Sequence, residues 1–553
     1  MGKSQKTGID ARLQAFAEWN MQYHQQLKAA GKEALARFDD ILSFAYREEN
    51  TPQQGVTDTK LLASLDETKP LAVQLWHDDE GEDGLRLCIY GTDERIAYFP
   101  TVAQILKNLA LPALALHDYS LGDNYWLQRY DIDSTLNDFQ PGDDPDGHFD
   151  NIVKAFISVW TGASEDDDLN GYVALCGCDI REIAVLRALG KYLIQAGAPY
   201  NYEQIRDALN NNPDATLAFI AAFHAKMQPG NNDANRAAAA LAELQNQLQQ
   251  IKSGEHEAIL RWYLDLLNAL VRTNYYQKDA DGRPKNRLSF KFAARDIPNL
   301  PKPKPLYEIW VYSPEVEGVH LRGGKVARGG LRWSDRHGDF RTEVLGLVKA
   351  QMVKNAIIVP VGSKGGFVVK NPPADRDAYL EAGKNCYRTF IRGLLDLTDN
   401  LVDGKIVPPA DTVRHDEDDP YLVVAADKGT AKFSDIANSI AAEYHFWLGD
   451  AFASGGSAGY DHKGIGITAR GAWESVKRHF RLLGKNIQKD DTFTAVGIGD
   501  MSGDVFGNGM LLSANTRLLA AFNHLHIFID PNPDPAASLA ERERLFRLPR
   551  STW

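Results

Sequence analysis

The stretch VPVGSKGGFVVK, residues 359–370, sets the problem. Without its centre it is a branched, apolar run that belongs in a sheet. At that centre stands Lys364, flanked by Gly362 and Ser363 on one side and by Gly365 and Gly366 on the other. Burying an ammonium is costly unless it is paired, and glycine weakens a strand. A cation framed by bare backbone is therefore a candidate for chemistry, with the glycines leaving room for a small molecule.

Around this stretch the charge is unusual. Residues 321–364 hold nine Lys or Arg against three acids, inside a chain whose net charge is −13. The bland reading is a solvated basic surface. Yet these cations alternate with Gly-Gly pairs and apolar residues, and glycine beside a cation lets an anion meet backbone N–H and side-chain charge together. A small-anion site is the favoured reading. GSKGG is not a phosphate-binding P-loop, because Gly365 follows the lysine where Ser or Thr is required.

At 553 residues the chain exceeds one core, and three or four domains are expected. Residues 1–60 read as amphipathic helix, and 61–140 as a small α/β module of regulatory size. In that module LAVQLWHD and LRLCIYG alternate like strands, and TVAQILKNLALPALALHDYSL reads as helix then strand. QPGDDPDGH, residues 140–148, is a linker by composition. Residues 149–290 read as helical, with DIREIAVLRALGKYLIQAG and EAILRWYLDLLNALVRTNYYQ at the helical spacing and SEDDDLN as a solvated loop. NLPKPKPLYEIWVYS is a stiff connector running into a strand. Residues 300–454 alternate strand and helix as an α/β substrate domain, and 455–553 open a Rossmann-like segment. The fold class is α/β.

The acidic balance argues against general nucleic-acid binding. Four cysteines are too few for a disulfide framework, and Cys176-x-Cys178 lacks a second ligand pair for zinc. MGKSQKTGIDARL has no apolar core of a secretory signal, and Lys6 stands where a myristoylation signal needs Ser or Thr. No run approaches the ~18 apolar residues of a membrane span. A reduced, cytoplasmic protein without a metal is expected.

RGGLRWSD, FRTEVLGLVKAQMVKNAIIVPVGSKGG, VAADKGTAKFSDIAN, GGSAGYDHKGIGITARGAWESVKRHF and FTAVGIGDMSGDVFGNGML occur in this order. Together they resemble the glutamate dehydrogenases, within the amino-acid dehydrogenase superfamily, and are similar above all to the large NAD-specific bacterial ones. The helical VWTGASEDDDLNGYVALCGCDIREIAVLRALGKYL resembles the segment preceding that family's catalytic domain. The resemblance implies oxidative deamination of L-glutamate to 2-oxoglutarate and ammonium with NAD, by a homo-oligomer.

Residue by residue, Lys364 matches the family's catalytic lysine, a base on the water that attacks an imine. Asp427 matches the acid that shuttles protons at the substrate nitrogen. Lys354 matches the lysine on the α-carboxylate, although a cation complementing a helix C-terminus reads the same way. Gly329, Gly330 and Gly365 match the substrate cradle. Arg328 falls where glutamate-specific members carry a lysine for the side-chain carboxylate and branched-chain members an apolar residue. Arginine keeps the charge and can grip a carboxylate bidentately.

For the cofactor, Gly497, Gly499 and Gly503 follow a strand and precede a helix, departing from G-x-G-x-x-G in the third glycine. HLHIFIDP reads as the second strand, ending in Asp530, whose carboxylate would bond the ribose 2′-hydroxyl of NAD and repel a 2′-phosphate. Its spacing from the glycines exceeds the usual ~20 residues. Lys463 stands where smaller members have a threonine near the nicotinamide. Two alternatives remain: another amino-acid dehydrogenase, or a truncated binding fragment. The second arises because only PNPDPAASLAERERLFRLPRSTW follows Asp530, whereas a dinucleotide fold needs two halves. On that reading the chain alone would bind NAD weakly.

Overall fold

The computed structural model describes residues 2–549 except 33, 34, 36, 37, 39–41, 68, 79–83, 93–98, 122–124, 134–144, 231, 232, 355–360, 431 and 458–461. Two units make up the chain: Met1–Ala327 with Ser334–Tyr421, and Arg328–Trp333 with Leu422–Trp553.

The first unit opens with α1 (Gly2–Ala29), α2 (Phe44–Glu49) and α3 (Pro52–Leu62). Gly31, at φ +62, ends the first helix, and the Lys32 N–H closes back on the Leu27 carbonyl. Thr51 caps the third ahead of Pro52. There follow β1 (Leu71–Asp78), β2 (Gly84–Gly91), α4 (Phe99–Asn108), β3 (Ala113–Leu121) and β4 (Tyr125–Asp133). The strands pair antiparallel in the order β1-β2-β4-β3. The residues expected to form a linker lie outside the described residues up to 144.

Seven helices come next: α5 (Pro145–Trp160), α6 (Gly171–Cys176), α7 (Ile180–Gln195), α8 (Tyr202–Asn210), α9 (Pro213–Met227), α10 (Ala234–Gln250) and α11 (Gly254–Ala269). Capping boxes start α7 (Asp179 with Glu182) and α8 (Asn201 with Gln204). The expected continuation of α11 through VRTNYYQ is corrected: Leu270–Thr273 is a strand, β5, buried at all four positions. A short apolar run buried on every side does not reveal its period.

Next come β6 (Leu288–Ala293), β7 (Tyr307–Tyr312), β8 (Val316–Arg322) and β9 (Ala327–Trp333), the last taken with the second unit. α12 (Phe340–Lys354), β10 (Val361–Val369), α13 (Arg376–Leu395), β11 (Asn400–Val402) and β12 (Lys405–Val407) complete the first. Its strands lie in the order β5-β6-β7-β8-β10, every neighbouring pair antiparallel. Leu321 and Val368 share a core with Val344 and Val348 of α12, and Phe367 packs at a tilt against Phe390 of α13.

The second unit adds to β9 the elements β13 (Val423–Ala426), α14 (Ser434–Glu443), β14 (Ala453–Ser454), α15 (His462–Ile465) and α16 (Ile467–Leu482). β15 (Phe493–Ile498), β16 (Thr516–Phe522), β17 (Ile527–Ile529) and α17 (Pro535–Arg547) follow. β13 pairs parallel with both β9 and β14, and β15 pairs parallel with β16. Both units mix helix and strand, as the α/β class requires.

Candidate active site

In the first unit, Lys364 sits half-buried on β10 opposite Leu321 of β8, with Ser363, Gly365 and Gly366 buried around it. Gly365 lies opposite His320. The glycines nearby answer to packing. A Cβ on Gly362 would come within 2.5 Å of Gln351 Oε1, and one on Gly323 within 2.3 Å of Val361 Cγ1. Lys354 is the last residue of α12, and its side chain lies outside the described residues.

The basic stretch divides by use. Arg322 and Arg341 are fully buried and serve the fold. Arg322 donates to both carboxylate oxygens of Asp419 (2.6 and 2.8 Å), and Arg341 to both of Glu308 (2.5 and 2.7 Å). Lys291 also reaches Asp419, at 2.7 Å. Burial alone would raise the Asp419 pKa, but these two cations pull it down to about 2. Lys325 pairs with Glu417 and Arg336 with Asp339 on the surface. The excess of positive charge is therefore partly a scaffold for β8 and α12, and only the remaining cations bear on an anion site.

In the second unit, β9 and β13 run parallel with Arg328 opposite Val423 and Gly330 opposite Ala425. β13 ends at Ala426, which delivers Asp427 to the end of the pair, half-buried. A tight turn fixes it there. The Asp427 N–H donates to Thr430 Oγ1 (3.1 Å), whose hydroxyl donates to the Leu331 carbonyl of β9 (2.6 Å). Gly429 takes φ +85, and the Trp333 N–H reaches the Lys428 carbonyl.

The carboxylate lies over Gly330: a Cβ on that glycine would stand 3.1 Å from Asp427 Oδ2. Oδ1 accepts from Arg332 Nη2 (3.1 Å) and from the Lys428 N–H (2.7 Å). Because side chains alternate along a strand, Arg328, Gly330 and Arg332 share one face of β9. Arg328 is exposed there, and Gly329 is buried beside it. The arrangement offers a positioned carboxylate, one arginine that orients it and a second arginine on the same face. The Arg332–Asp427 pair was not assigned from sequence; the period-2 spacing within RGGLR is the signal that places it.

The candidate nucleotide segment departs from its expected form. β15 ends in a glycine turn with Gly499 at φ +130, as a strand-to-helix phosphate turn requires. Gly497 and Gly499 admit the Phe506 side chain, since Cβ atoms there would lie 2.3 Å from its ring and 3.1 Å from its Cβ. Gly503 has only an ordinary 3.7 Å neighbour. The expected helix is a five-residue π turn, Asp504–Asn508. Asp500 accepts from Ser502 and from Asn523 Nδ2 (2.9 Å). Burial would raise its pKa, but these hydrogen bonds hold it below the usual carboxylate range.

The reading of HLHIFIDP as the second parallel strand is corrected. That strand is β16, and β17 folds back antiparallel on it, Ile529 opposite Ala520. Asn523, directly after β16, stands next to the glycine turn, where the Gly499 N–H reaches the Phe522 carbonyl. Asp530 lies at the opposite end of the hairpin, its N–H on the Leu519 carbonyl. The structure thus brings Gly497, Gly499 and Asp500 together and leaves Asp530 some three residues of strand away, roughly 10 Å. Lys463 lies over the Phe546 ring at 4.7 Å.

Two family models match the chain: "Bacterial NAD-glutamate dehydrogenase, catalytic domain" over residues 243–553 and "Glutamate dehydrogenase, helical motif 3" over residues 164–229. The NAD-specific glutamate dehydrogenase of Pseudomonas aeruginosa is 50% identical over 98% of this chain and 34% of its own length. Those of Halomonas elongata and Mycobacterium tuberculosis are 49% and 46% identical over 94% and 95% of this chain, and 32% and 33% of their lengths. The chain spans about a third of the length of these curated relatives. A hetero-hexameric glutamate dehydrogenase from Thermus thermophilus overlaps at 17% identity and a TM-score of 0.29, covering 53% of this chain and 63% of that one, too loosely to carry geometry across. With a catalytic-domain model matching more than half its length, this chain belongs to the bacterial NAD-glutamate dehydrogenase catalytic-domain family.

Proposed function

We propose that this chain carries the substrate machinery of an NAD-dependent glutamate dehydrogenase, a cytoplasmic homo-oligomer. It converts L-glutamate, NAD and water to 2-oxoglutarate, ammonium, NADH and a proton. The observation that supports this reading best is the Asp427 carboxylate laid over Gly330 and oriented by Arg332, on the strand face that also carries Arg328.

Arg328 takes the side-chain carboxylate of glutamate, and Lys354 its α-carboxylate, with Gly329, Gly330 and Gly365 leaving space for the carbon chain. Asp427 accepts a proton from the substrate ammonium, so that the nitrogen lone pair can form the C=N bond as hydride leaves Cα. Lys364 then takes a proton from the water that attacks the imine carbon. Asp427 returns its proton to the nitrogen; as the C–N bond breaks, the hydroxyl oxygen forms the C=O bond and gives up its proton to solvent, and ammonia departs to take up the proton that Lys364 releases.

The turn at Gly497, Gly499 and Asp500 is the part of the chain assigned to a nucleotide: a parallel strand pair ends there in a glycine turn, with Phe506 packed over Gly497 and Gly499. When bound, NAD supplies the hydride acceptor. Gly503 stays in this assignment as the end of the turn. Asp530 stays only as a remote contact, with Asn523 nearer the ribose position. NADH formation from glutamate tests the reading. Asp427→Asn is expected to lose turnover while retaining 2-oxoglutarate binding, and wild-type turnover by that variant refutes the assignment.

A further inference from the structure

A cleft of about 600 Å³ opens in the first unit between α4, the acidic loop after α5, α7 and α8, and none of its lining residues is assigned a role above. Its volume falls within the range of small-molecule sites. The loop is SEDDDLN, and the expectation that it is merely solvated does not hold. Glu165 binds Lys370 and accepts from the Tyr312 hydroxyl (2.8 Å). Asp167 accepts twice from the buried Arg187 (2.7 and 2.8 Å) and once from the Tyr202 hydroxyl (2.8 Å). Asp168 pairs with Arg206 at 2.6 Å.

Once these pairs are matched, two charges are left over. Lys191 of α7 is half-buried, its ammonium 3.7 Å from the centre of the Tyr202 ring, with no ion pair to any described residue. Its burial in this wall pulls its pKa down, against the opposing pull of the Glu165, Glu317 and Asp167 carboxylates nearby, each of which has a partner of its own. Asp166, at the exposed rim, accepts from the Asn108 side chain (2.9 Å) and has no cation partner. Lys191 and Asp166 are not paired with each other. A lone anion such as phosphate would satisfy the first and be repelled by the acidic rim. A lone amine would do the reverse. The geometry points to an amino-acid-sized zwitterion as the ligand of this cleft, its carboxylate on Lys191 and its ammonium on Asp166, with the side-chain amide of Asn108 available to a polar tail.

Saturation-transfer NMR on the chain tests this with three matched probes: L-glutamine, which carries both charges, glutaramate, which lacks the ammonium, and 4-aminobutanamide, which lacks the carboxylate. L-Glutamine is expected to bind, and each single-charge probe roughly tenfold or more weaker, the scale of one charge-assisted hydrogen bond. Lys191→Met keeps the apolar stem, and Asp166→Asn keeps an acceptor for Asn108. Each is expected to weaken L-glutamine by a similar factor, while saturating 2-oxoglutarate leaves the L-glutamine signal unchanged. Absence of L-glutamine binding, equal binding of all three probes, indifference to both cleft variants, or displacement by 2-oxoglutarate would each overturn the assignment.

Discussion

Replacing Gly330 by alanine asks how much of the Asp427 geometry depends on one missing methyl group. A Cβ at this position lies 3.0 Å from the Ala426 carbonyl oxygen and 3.1 Å from both Cβ and Oδ2 of Asp427. Carbon contacts prefer about 3.5–4.0 Å, so something must move by a few tenths of an ångström. The carbonyl belongs to a strand in register with β9, whereas the carboxylate stands at its end and is the softer neighbour. Gly330 lies within β9 outside the left-handed region, so alanine meets no backbone penalty. Overpacking of this kind costs about 1–3 kcal/mol. At the low end that lowers the Tm of a unit of this size by about 2–4 °C. Catalysis should suffer more than stability. If a 1 Å misplacement costs about 100-fold, a few tenths of an ångström corresponds to roughly fivefold in kcat. The assay is steady-state NADH formation at saturating glutamate and NAD, beside thermal melting, with Gly338→Ala as control because nothing lies within 4 Å of its Cβ. Wild-type kcat in Gly330→Ala with an unchanged Tm would refute the argument that this glycine exists to seat the carboxylate.

Lys364→Ala should lower kcat by at least ~100-fold, the usual scale of a lost acid–base group, while 2-oxoglutarate still binds; turnover above about a tenth of wild type removes the lysine from the chemistry. Arg328→Leu should reduce kcat/KM for glutamate relative to norvaline at least tenfold, from a charge-assisted hydrogen bond of roughly 1.5–3 kcal/mol; an unchanged ratio hands the side-chain carboxylate to another cation. His320 is fully buried with neither ring nitrogen hydrogen-bonded, and burial, with Arg322 nearby, lowers its pKa to about 3. Its depressed folded value means that the unfolded chain takes up the proton first, so this stability is complete above about pH 6.5 and is lost as pH falls towards 3. Between pH 7.5 and 4.5 the loss from this residue is about 2–3 kcal/mol, and urea midpoints for His320→Leu should show that much less acid sensitivity; an identical pH slope would contradict it.

The parts of the fold that were legible in the sequence are those whose cause is local. The alternation of LAVQLWHD and LRLCIYG became β1 and β2, and Asp179 and Asn201 start their helices with caps that can be read three residues ahead. The glycine-framed Lys364 lies in a strand as its neighbours require. The parts that were not legible depend on distant partners. Arg322 and Arg341 look like members of an anion site until Asp419 and Glu308 are found against them. SEDDDLN looks solvated until Arg187, Arg206 and Lys370 arrive from elsewhere in the chain. Charge alone does not tell a scaffold from a binding surface, because both are built of the same residues.

The pairing of β17, and with it the place of Asp530, has a different cause, and a local one. HLHIFIDP reads from sequence as the second strand, with an acid closing it. Asn523 turns the chain just before it: its side-chain oxygen accepts from the N–H groups of Leu525 and His526, each at 2.9 Å, and its own N–H closes on the His526 carbonyl. An asparagine that bonds the backbone two residues on is a turn-former in its own right. Once the chain reverses there, the end of the parallel strand is fixed at Phe522, and every residue of β17 is carried away from the glycine turn as the sequence advances. The acid at the end of β17 is thereby sent to the far end of the hairpin, and Asn523 is left beside the glycine turn, its amide on Asp500. Distance in sequence from the glycines does not measure distance from the turn, because direction reverses at Asn523.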